Sequence, residues 1–122
     1  MQSQKFSIRS RIKSFSYAIS GIRRFVRQEH NARIHTAATI AVVIAALVMG
    51  VSRLEAVALA LVISGVWITE MLNTCLERMA DIISPQQDPA IKFIKDLAAG
   101  AVLVAAIVAV IVGLFIFIPK IL

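Results

Sequence analysis

Hydrophobic and polar positions alternate with a helical period near the start of the chain. Between residues 5 and 27, large apolar side chains recur every three or four positions, with lysine and arginine between them. This spacing puts the apolar side chains on one face of a helix. The apolar row is Ile8, Ile12, Phe15, Ile19, Ile22 and Val26. The pattern predicts an amphipathic helix over residues 5–27 on a membrane surface, with its basic face on lipid phosphates. A helix that only packs on the rest of the protein is the alternative.

Three longer apolar segments follow this helix. Residues 34–52 and 97–119 contain no lysine, arginine, aspartate or glutamate, and residues 56–80 are uncharged as far as Thr69. About 20 helical residues cross a hydrocarbon core of about 30 Å. The three segments therefore predict three transmembrane helices. Together with the surface helix they make one all-α integral membrane domain over residues 1–122.

Short polar sequences mark where two of these helices begin. Ser52 precedes the second apolar segment, and Glu55 stands three positions later, as in a capping box. Asp88 and Pro89 form an N-cap followed by a first-turn proline ahead of the third segment. We therefore expect helices to begin near Arg53 and Pro89.

Composition and charge support a membrane protein. Hydrophobic residues make up 59% of the chain and charged residues only 16%, which is atypical of a soluble domain of this length. The net charge is +6, and eight of the thirteen basic residues precede the first apolar segment. Such flanking charge favours anionic lipid over nucleic acid as the partner. The positive-inside tendency places the N-terminus and the loop between the second and third spans in the cytoplasm.

An acidic row at the end of the second apolar segment carries the candidate chemistry. On a helix, its members fall within a sector of about 80°. They are Glu70, Asn73, Glu77 and Asp81. Carboxylates near hydrocarbon depth are costly to desolvate and are therefore functional by default. The row predicts a site for a divalent cation, a proton, or both.

Other polar residues gather at the same predicted membrane boundary. Glu29 precedes the first span, and Lys95 with Asp96 precede the third. Oxygen ligands without cysteine or paired histidine favour Mg²⁺ held partly by substrate phosphates. Lys95 adds positive charge for a phosphate, so the grouping favours phosphoryl transfer. A small proton-coupled transporter using Glu70, or a non-enzymatic adaptor, are the alternatives, although acids crowded at one boundary are unlike a transporter's midplane site.

The spacing of these polar positions resembles that of a known enzyme family. The matching segments are Ser14-Phe15-x-Tyr17-Ala18-x-x-Gly21, Glu29-x-Asn31-x-Arg33-Ile34-His35, Glu70-x-x-Asn73-Thr74-x-x-Glu77-x-x-x-Asp81 and Lys95-Asp96-x-x-Ala99-Gly100-Ala101. They resemble the prokaryotic diacylglycerol kinase and undecaprenol kinase family of small bacterial membrane lipid kinases. The resemblance covers almost the whole chain.

The resemblance implies an enzyme of the bacterial cytoplasmic (inner) membrane that spans it several times. It implies ATP as the phosphoryl donor, Mg²⁺ as the cofactor and a membrane lipid alcohol as the acceptor. It also implies a homotrimeric bundle whose active sites are shared between subunits at the cytoplasmic face.

The resemblance also implies roles for individual residues. Glu70 would be the base that accepts the proton of the lipid hydroxyl, Asn73 would orient the reacting groups, and Ala99 would contact the lipid substrate with Glu70. Glu29 and Glu77 would hold Mg²⁺ on the ATP phosphates. The remaining nucleotide contacts would be Tyr17, Lys95 and Asp96.

The resemblance also indicates which lipid alcohol accepts the phosphoryl group. Residues 98–103 and the ending Ile116-Phe117-Ile118-Pro119-Lys120 look more like the undecaprenol kinase branch. Undecaprenol is therefore the first choice and diacylglycerol the second. The turn Gln86-Gln87-Asp88 departs from the Glu-Tyr-His that many members carry there, which leaves nucleotide selectivity open.

Overall fold

The computed structural model describes residues 5–86 and 88–122, and these form four α-helices. The helices are α1 (Ile8–Gln28), α2 (His30–Met49), α3 (Arg53–Ile83) and α4 (Pro89–Ile121). The all-helical prediction is therefore confirmed.

Both predicted helix starts are confirmed by their hydrogen bonds. The Ser52 hydroxyl accepts from the Glu55 backbone N–H at 3.1 Å, and a Glu55 carboxylate oxygen accepts from the Ser52 N–H at 2.8 Å. The reciprocal pair completes a capping box at the start of α3. At the start of α4, Asp88 Oδ1 accepts from the Ala90 N–H at 2.8 Å, with Pro89 in the first turn.

Other helix ends differ from the apolar windows by a few residues. Helix α1 begins at Ile8, because the Ser7 hydroxyl caps it by accepting from the Ser10 N–H at 3.4 Å. Helix α2 begins at His30 and ends at Met49, ahead of Gly50, whose φ of +72° lies in the left-handed region that glycine adopts without strain. Hydropathy indicates which residues lie in the hydrocarbon core of a membrane. Capping residues and residues with positive φ indicate where a helix begins and ends.

Within the described residues, three helices are long and apolar enough to cross a membrane: α2, α3 and α4. Many of their large apolar side chains are exposed, such as Leu47, Leu61 and Phe115. An apolar surface of this extent is unusual on a soluble protein. It matches the prediction of an integral membrane protein.

The chain divides into two compact units, residues 1–36 and residues 37–122. In the second unit, α3 and α4 form an antiparallel hairpin joined by the short turn after Ser84. At one end of the hairpin, which we name the turn end, Asp81 of α3 pairs with Lys95 of α4. At the opposite end, which we name the far end, Glu55 of α3 pairs with Lys120 of α4.

A third polar contact lies between the two ends of the hairpin. Trp67 of α3 donates its indole N–H to the hydroxyl of Thr39 in α2 at 2.9 Å. An indole N–H that is shielded from water usually needs an acceptor, and the Thr39 hydroxyl is the acceptor for Trp67. The bond connects α2 to α3 three residues before Glu70.

Candidate active site at the turn end of the hairpin

The acidic row of α3 runs from the protein interior to its surface. Glu70 is only 6% exposed and is the one buried charged residue in the described part of the chain. Asn73 is half-buried, whereas Glu77 and Asp81 are exposed. The row therefore combines a shielded carboxylate with open ones, which gives its members different chemical uses.

Asn73 and Glu77 lie one helical turn apart and are in contact. The Asn73 amide nitrogen lies 3.5 Å from Glu77 Oε1, which is at the limit for a hydrogen bond. The other polar atom of that amide, Oδ1, is buried and accepts no hydrogen bond from any described residue. Buried acceptors are rarely left in this state. The Asn73 amide therefore has an acceptor whose hydrogen-bonding capacity is not used by the described residues.

Two lysines of α4 form ion pairs at the same end. Lys95 Nζ donates to Asp81 Oδ1 at 2.5 Å, across the turn between the two helices. Lys92 Nζ donates to Asp96 Oδ2 at 2.6 Å, one turn apart on α4. The predicted nucleotide contacts Lys95 and Asp96 are thus next to each other in sequence but bound to different partners.

A polar cleft of about 170 Å³ opens beside these pairs. It is lined by Asp81, Ser84, Pro85, Gln86, Asp88, Ile91, Lys92 and Lys95. Gln87, the middle residue of the turn that departs from the family pattern, lies outside the described residues. Opposite charges line one small opening, as recognition of a polar ligand requires.

A larger cleft of about 440 Å³ lies toward the far end, between α2 and α3. Its lining is apolar and includes Val42, Leu47, Leu59 and Ile63. Such a lining suits hydrocarbon but offers no group for proton transfer or metal binding. Of these two clefts, the one at the turn end is lined by charged side chains.

The remaining predicted site residues are Tyr17 and Glu29 in the first unit and Ala99 in α4. Tyr17, in α1, is exposed and Glu29 is half-buried, and both belong to the first unit. Glu29 is the C-cap residue of α1, and its backbone N–H donates to the Phe25 carbonyl at 2.9 Å. In the second unit, Ala99 of α4 is exposed beside the buried Ala98.

The donors at the turn end fit Mg²⁺ better than a metal bound by protein alone. No group of three or more histidine, cysteine, aspartate or glutamate residues is arranged around a common point among the described residues. Mg²⁺ usually takes one or two carboxylates and completes its shell with phosphate oxygens and water. The exposed carboxylate of Glu77 is a group of that kind.

Three interactions were missed by reasoning from the sequence. They are Asp81 with Lys95, Glu55 with Lys120, and Trp67 with Thr39. The partner of Asp81 lies in α4, 14 residues further along the chain. The sequence does show an acid or an indole N–H within an apolar helix. Such a group needs a partner, but the sequence does not identify which residue that partner is.

Comparison with known proteins identifies the family. The family described as "Prokaryotic diacylglycerol kinase" matches residues 16–117. A protein of Bacillus subtilis (strain 168) named undecaprenol kinase is 42% identical over 108 residues, covering 88% of this chain and 88% of that protein. A protein of Synechocystis sp. (strain ATCC 27184 / PCC 6803 / Kazusa) named diacylglycerol kinase is 41% identical over 110 residues, covering 89% of this chain and 63% of that protein.

These matches extend across all four helices and include the acidic row of α3. They confirm the predicted enzyme class, and with it the integral membrane class that the three apolar helices indicate. The chain is a lipid kinase and belongs to the prokaryotic diacylglycerol kinase family.

Proposed function

We propose that this protein is an ATP- and Mg²⁺-dependent kinase that phosphorylates the hydroxyl of undecaprenol. The oxygen of the lipid hydroxyl bonds to the γ-phosphorus of ATP while the bond from that phosphorus to the β–γ bridging oxygen breaks. ADP leaves, and the hydroxyl proton passes to a base on the enzyme. The acidic row of α3 and the lysines at the start of α4 support this proposal.

Glu70 is the proposed base. It is 6% exposed, so its carboxylate is shielded from water next to the place where a lipid headgroup would enter. Proton transfer by a positioned side chain contributes about 10²- to 10⁴-fold to a rate. Asn73, one turn along α3, is proposed to orient the reacting groups through its amide.

Glu77 is the proposed ligand for Mg²⁺. It is exposed, and its Oε1 lies 3.5 Å from the Asn73 amide nitrogen. When bound, the metal would neutralise charge on the triphosphate. Glu29 is proposed as a second carboxylate ligand on the resemblance alone.

The nucleotide is proposed to lie along the polar cleft. Lys95 lines this cleft and supplies an ammonium for a phosphate oxygen. Asp96 follows it on α4, and Tyr17 is the proposed contact from α1. On the lipid side, Ala99 is exposed one turn further along α4 and is proposed to face the substrate chain.

The choice of acceptor rests on which relative this chain covers over more of its length. The protein named undecaprenol kinase is covered over 88% of its length, whereas the one named diacylglycerol kinase is covered over 63%. Their identities to this chain are nearly equal, 42% and 41%. Diacylglycerol is therefore the second candidate.

The proposed setting is the bacterial inner membrane, with the turn end at the cytoplasmic face. The excess of basic residues before α2 supports this orientation. Exposed Ile12, Phe15 and Ile19 on α1 support a surface helix that inserts its apolar face among lipids. A homotrimer with shared sites is proposed from the family resemblance.

The decisive experiment offers two acceptors to one preparation. Purified protein in phospholipid vesicles receives ATP labelled on the γ-phosphate, Mg²⁺, and either undecaprenol or diacylglycerol. We expect label in undecaprenyl phosphate, faster than in phosphatidic acid, and no transfer once Mg²⁺ is chelated.

Two outcomes would count against different parts of the proposal. Transfer to diacylglycerol alone would overturn the acceptor and leave the kinase chemistry intact. Label in neither lipid, with nucleotide bound and Mg²⁺ present, would overturn both.

A further inference from the structure

The ion pair between Asp81 and Lys95 connects the acidic row to the polar cleft. The two residues are contributed by different helices, and their contact of 2.5 Å crosses the turn that joins α3 to α4. The proposed chemistry assigns roles to Glu70, Asn73 and Glu77 but leaves this last acid of the row unused. Its partner is the lysine proposed for the nucleotide.

The geometry leaves Lys95 free to bind a second acceptor. An ammonium group has three N–H donors, and the Asp81 contact accounts for one of them. The Lys95 side chain is 37% exposed and lines the cleft. Donors therefore remain for phosphate oxygens while the contact with Asp81 persists.

A lysine side chain that no partner holds loses conformational freedom when it binds a ligand. It has four rotatable bonds and loses rotamer entropy when its ammonium is fixed in one place. A partner that already holds the ammonium at the edge of the cleft removes part of that loss before the ligand arrives. Preorganisation of this kind raises affinity without a new contact to the ligand.

The Asp81 carboxylate also carries a negative charge, which would oppose an incoming triphosphate. Its side chain is 65% exposed, so water and salt screen it from groups that it does not touch. Its contact with Lys95 is direct, and direct contacts are the least screened. The positioning effect should therefore exceed the repulsion.

We infer that Asp81 is a positioning residue that acts through Lys95. It holds the lysine ammonium in the polar cleft, where that group meets a phosphate of the nucleotide, and it touches neither nucleotide nor metal itself. The inference rests on the proposed function, because it takes Lys95 as a nucleotide contact.

The test compares nucleotide affinity in a double-mutant cycle. The variants are Asp81→Asn, Lys95→Met and their combination, each measured for equilibrium binding of a non-hydrolysable ATP analogue with Mg²⁺ and for KM and kcat. Exposed ion pairs couple weakly, so we expect Asp81→Asn to raise the Kd and KM for nucleotide about three- to fivefold, with kcat within about twofold. In the Lys95→Met background, Asp81→Asn should change nothing further.

Two further variants separate positioning from the loss of charge. Asp88 lines the same cleft and caps α4, and asparagine caps helices as well as aspartate does. Asp88→Asn thus removes an equal charge from the cleft without touching the pair, so it measures the effect of cleft charge alone, and Asp81→Asn should bind nucleotide several-fold more weakly than Asp88→Asn does. Asp81→Glu keeps the carboxylate and should restore most of the affinity.

The outcomes distinguish this inference from the function on which it rests. If Lys95→Met weakens binding but Asp81→Asn does not, the role of Asp81 is wrong and the kinase site stands. Tighter binding by Asp81→Asn, or an equal loss with and without Lys95, would also overturn it. If Lys95→Met itself leaves nucleotide affinity intact, the proposed nucleotide contact fails first.

Discussion

The two ends of the α3–α4 hairpin are connected in the same way but differ in what surrounds the connection. At the far end, Glu55 and Lys120 lie 3.1 Å apart with side chains 27% and 23% exposed, and Glu55 also completes the α3 cap. At the turn end, Asp81 and Lys95 are more exposed and lie among further acids. One acid meets one cation at the far end, whereas at the turn end two such pairs lie beside a row of further polar side chains.

This comparison distinguishes charged groups that stabilise the fold from charged groups that remain able to bind a ligand. Glu55 makes a backbone hydrogen bond and an ion pair, so its charge is explained by contacts within the protein. At the turn end, the Asn73 oxygen has no partner among the described residues, and Glu77 is open to solvent. Polar groups near the hydrocarbon core are unfavourable for the stability of a membrane protein. We propose that these groups are retained because they bind substrate.

The largest expected effect comes from the buried acid of the α3 row. Glu70→Gln keeps the size of the side chain but removes the base, so phosphoryl transfer should fall by about 10²- to 10⁴-fold. Binding of a Mg²⁺–nucleotide analogue should stay close to that of the unchanged protein. The two quantities are measured by label transfer to lipid and by equilibrium binding. Unimpaired transfer would show that Glu70 is as structural as Glu55.

The second effect concerns the open acid of the same row. Glu77→Gln removes one proposed metal ligand, and losses of this kind weaken metal sites by about tenfold or more. The Mg²⁺ concentration that half-activates transfer should rise by that factor, while lipid affinity stays constant. An activation curve that matches that of the unchanged protein would remove Glu77 from the metal site.

A smaller effect is expected between the two ends. Thr39→Val deletes the acceptor of the Trp67 N–H and should lower the free energy of unfolding by about 0.6 to 1.7 kcal/mol, the range for hydrogen bonds between membrane helices. Thr69→Val is the matched control, because the Thr69 hydroxyl donates only to carbonyls of α3 itself, those of Gly65 and Val66. Equal losses in the two variants would mean that the contact between helices contributes nothing of its own.

The smallest effect is expected at the far end. Lys120→Met breaks the pair with Glu55, which lies about 22 Å from Glu70 along α3 at about 1.5 Å per residue. Thermal stability should fall slightly, and the rate of transfer should stay within about twofold, because exposed pairs contribute little. If the variant loses activity but still melts cooperatively, the proposal that the far end has only a structural role is wrong.

Local patterns allowed much of this fold to be predicted. The Ser52 and Asp88 caps could be located because both the capping residue and its target lie within three positions. The apolar windows identified the helices that become α2, α3 and α4, since length and hydropathy are local properties. The acidic row followed from helical periodicity alone.

Contacts between helices could not be predicted in the same way. Asp81 and Lys95 are 14 residues apart, and Thr39 and Trp67 are 28 apart. Their pairing depends on the rotation and offset of packed helices, which periodicity does not determine. The metal roles of Glu29 and Glu77 stay predictions, because they depend on a bound nucleotide as well as on the fold.

The most direct test of the account locates the metal–nucleotide complex along the hairpin. Cys75 is the only cysteine and is exposed on α3 between Asn73 and Glu77, so it can carry a fluorine label at the turn end. A matched label at the far end uses Leu54→Cys in a Cys75→Ala background, since Leu54 is also exposed. Mn²⁺ with a non-hydrolysable ATP analogue replaces the Mg²⁺ complex and broadens the resonance of nearby fluorine. We predict broadening of the turn-end label alone, reversed when Glu77→Gln is introduced, whereas broadening at the far end or at neither end with nucleotide bound would contradict the account.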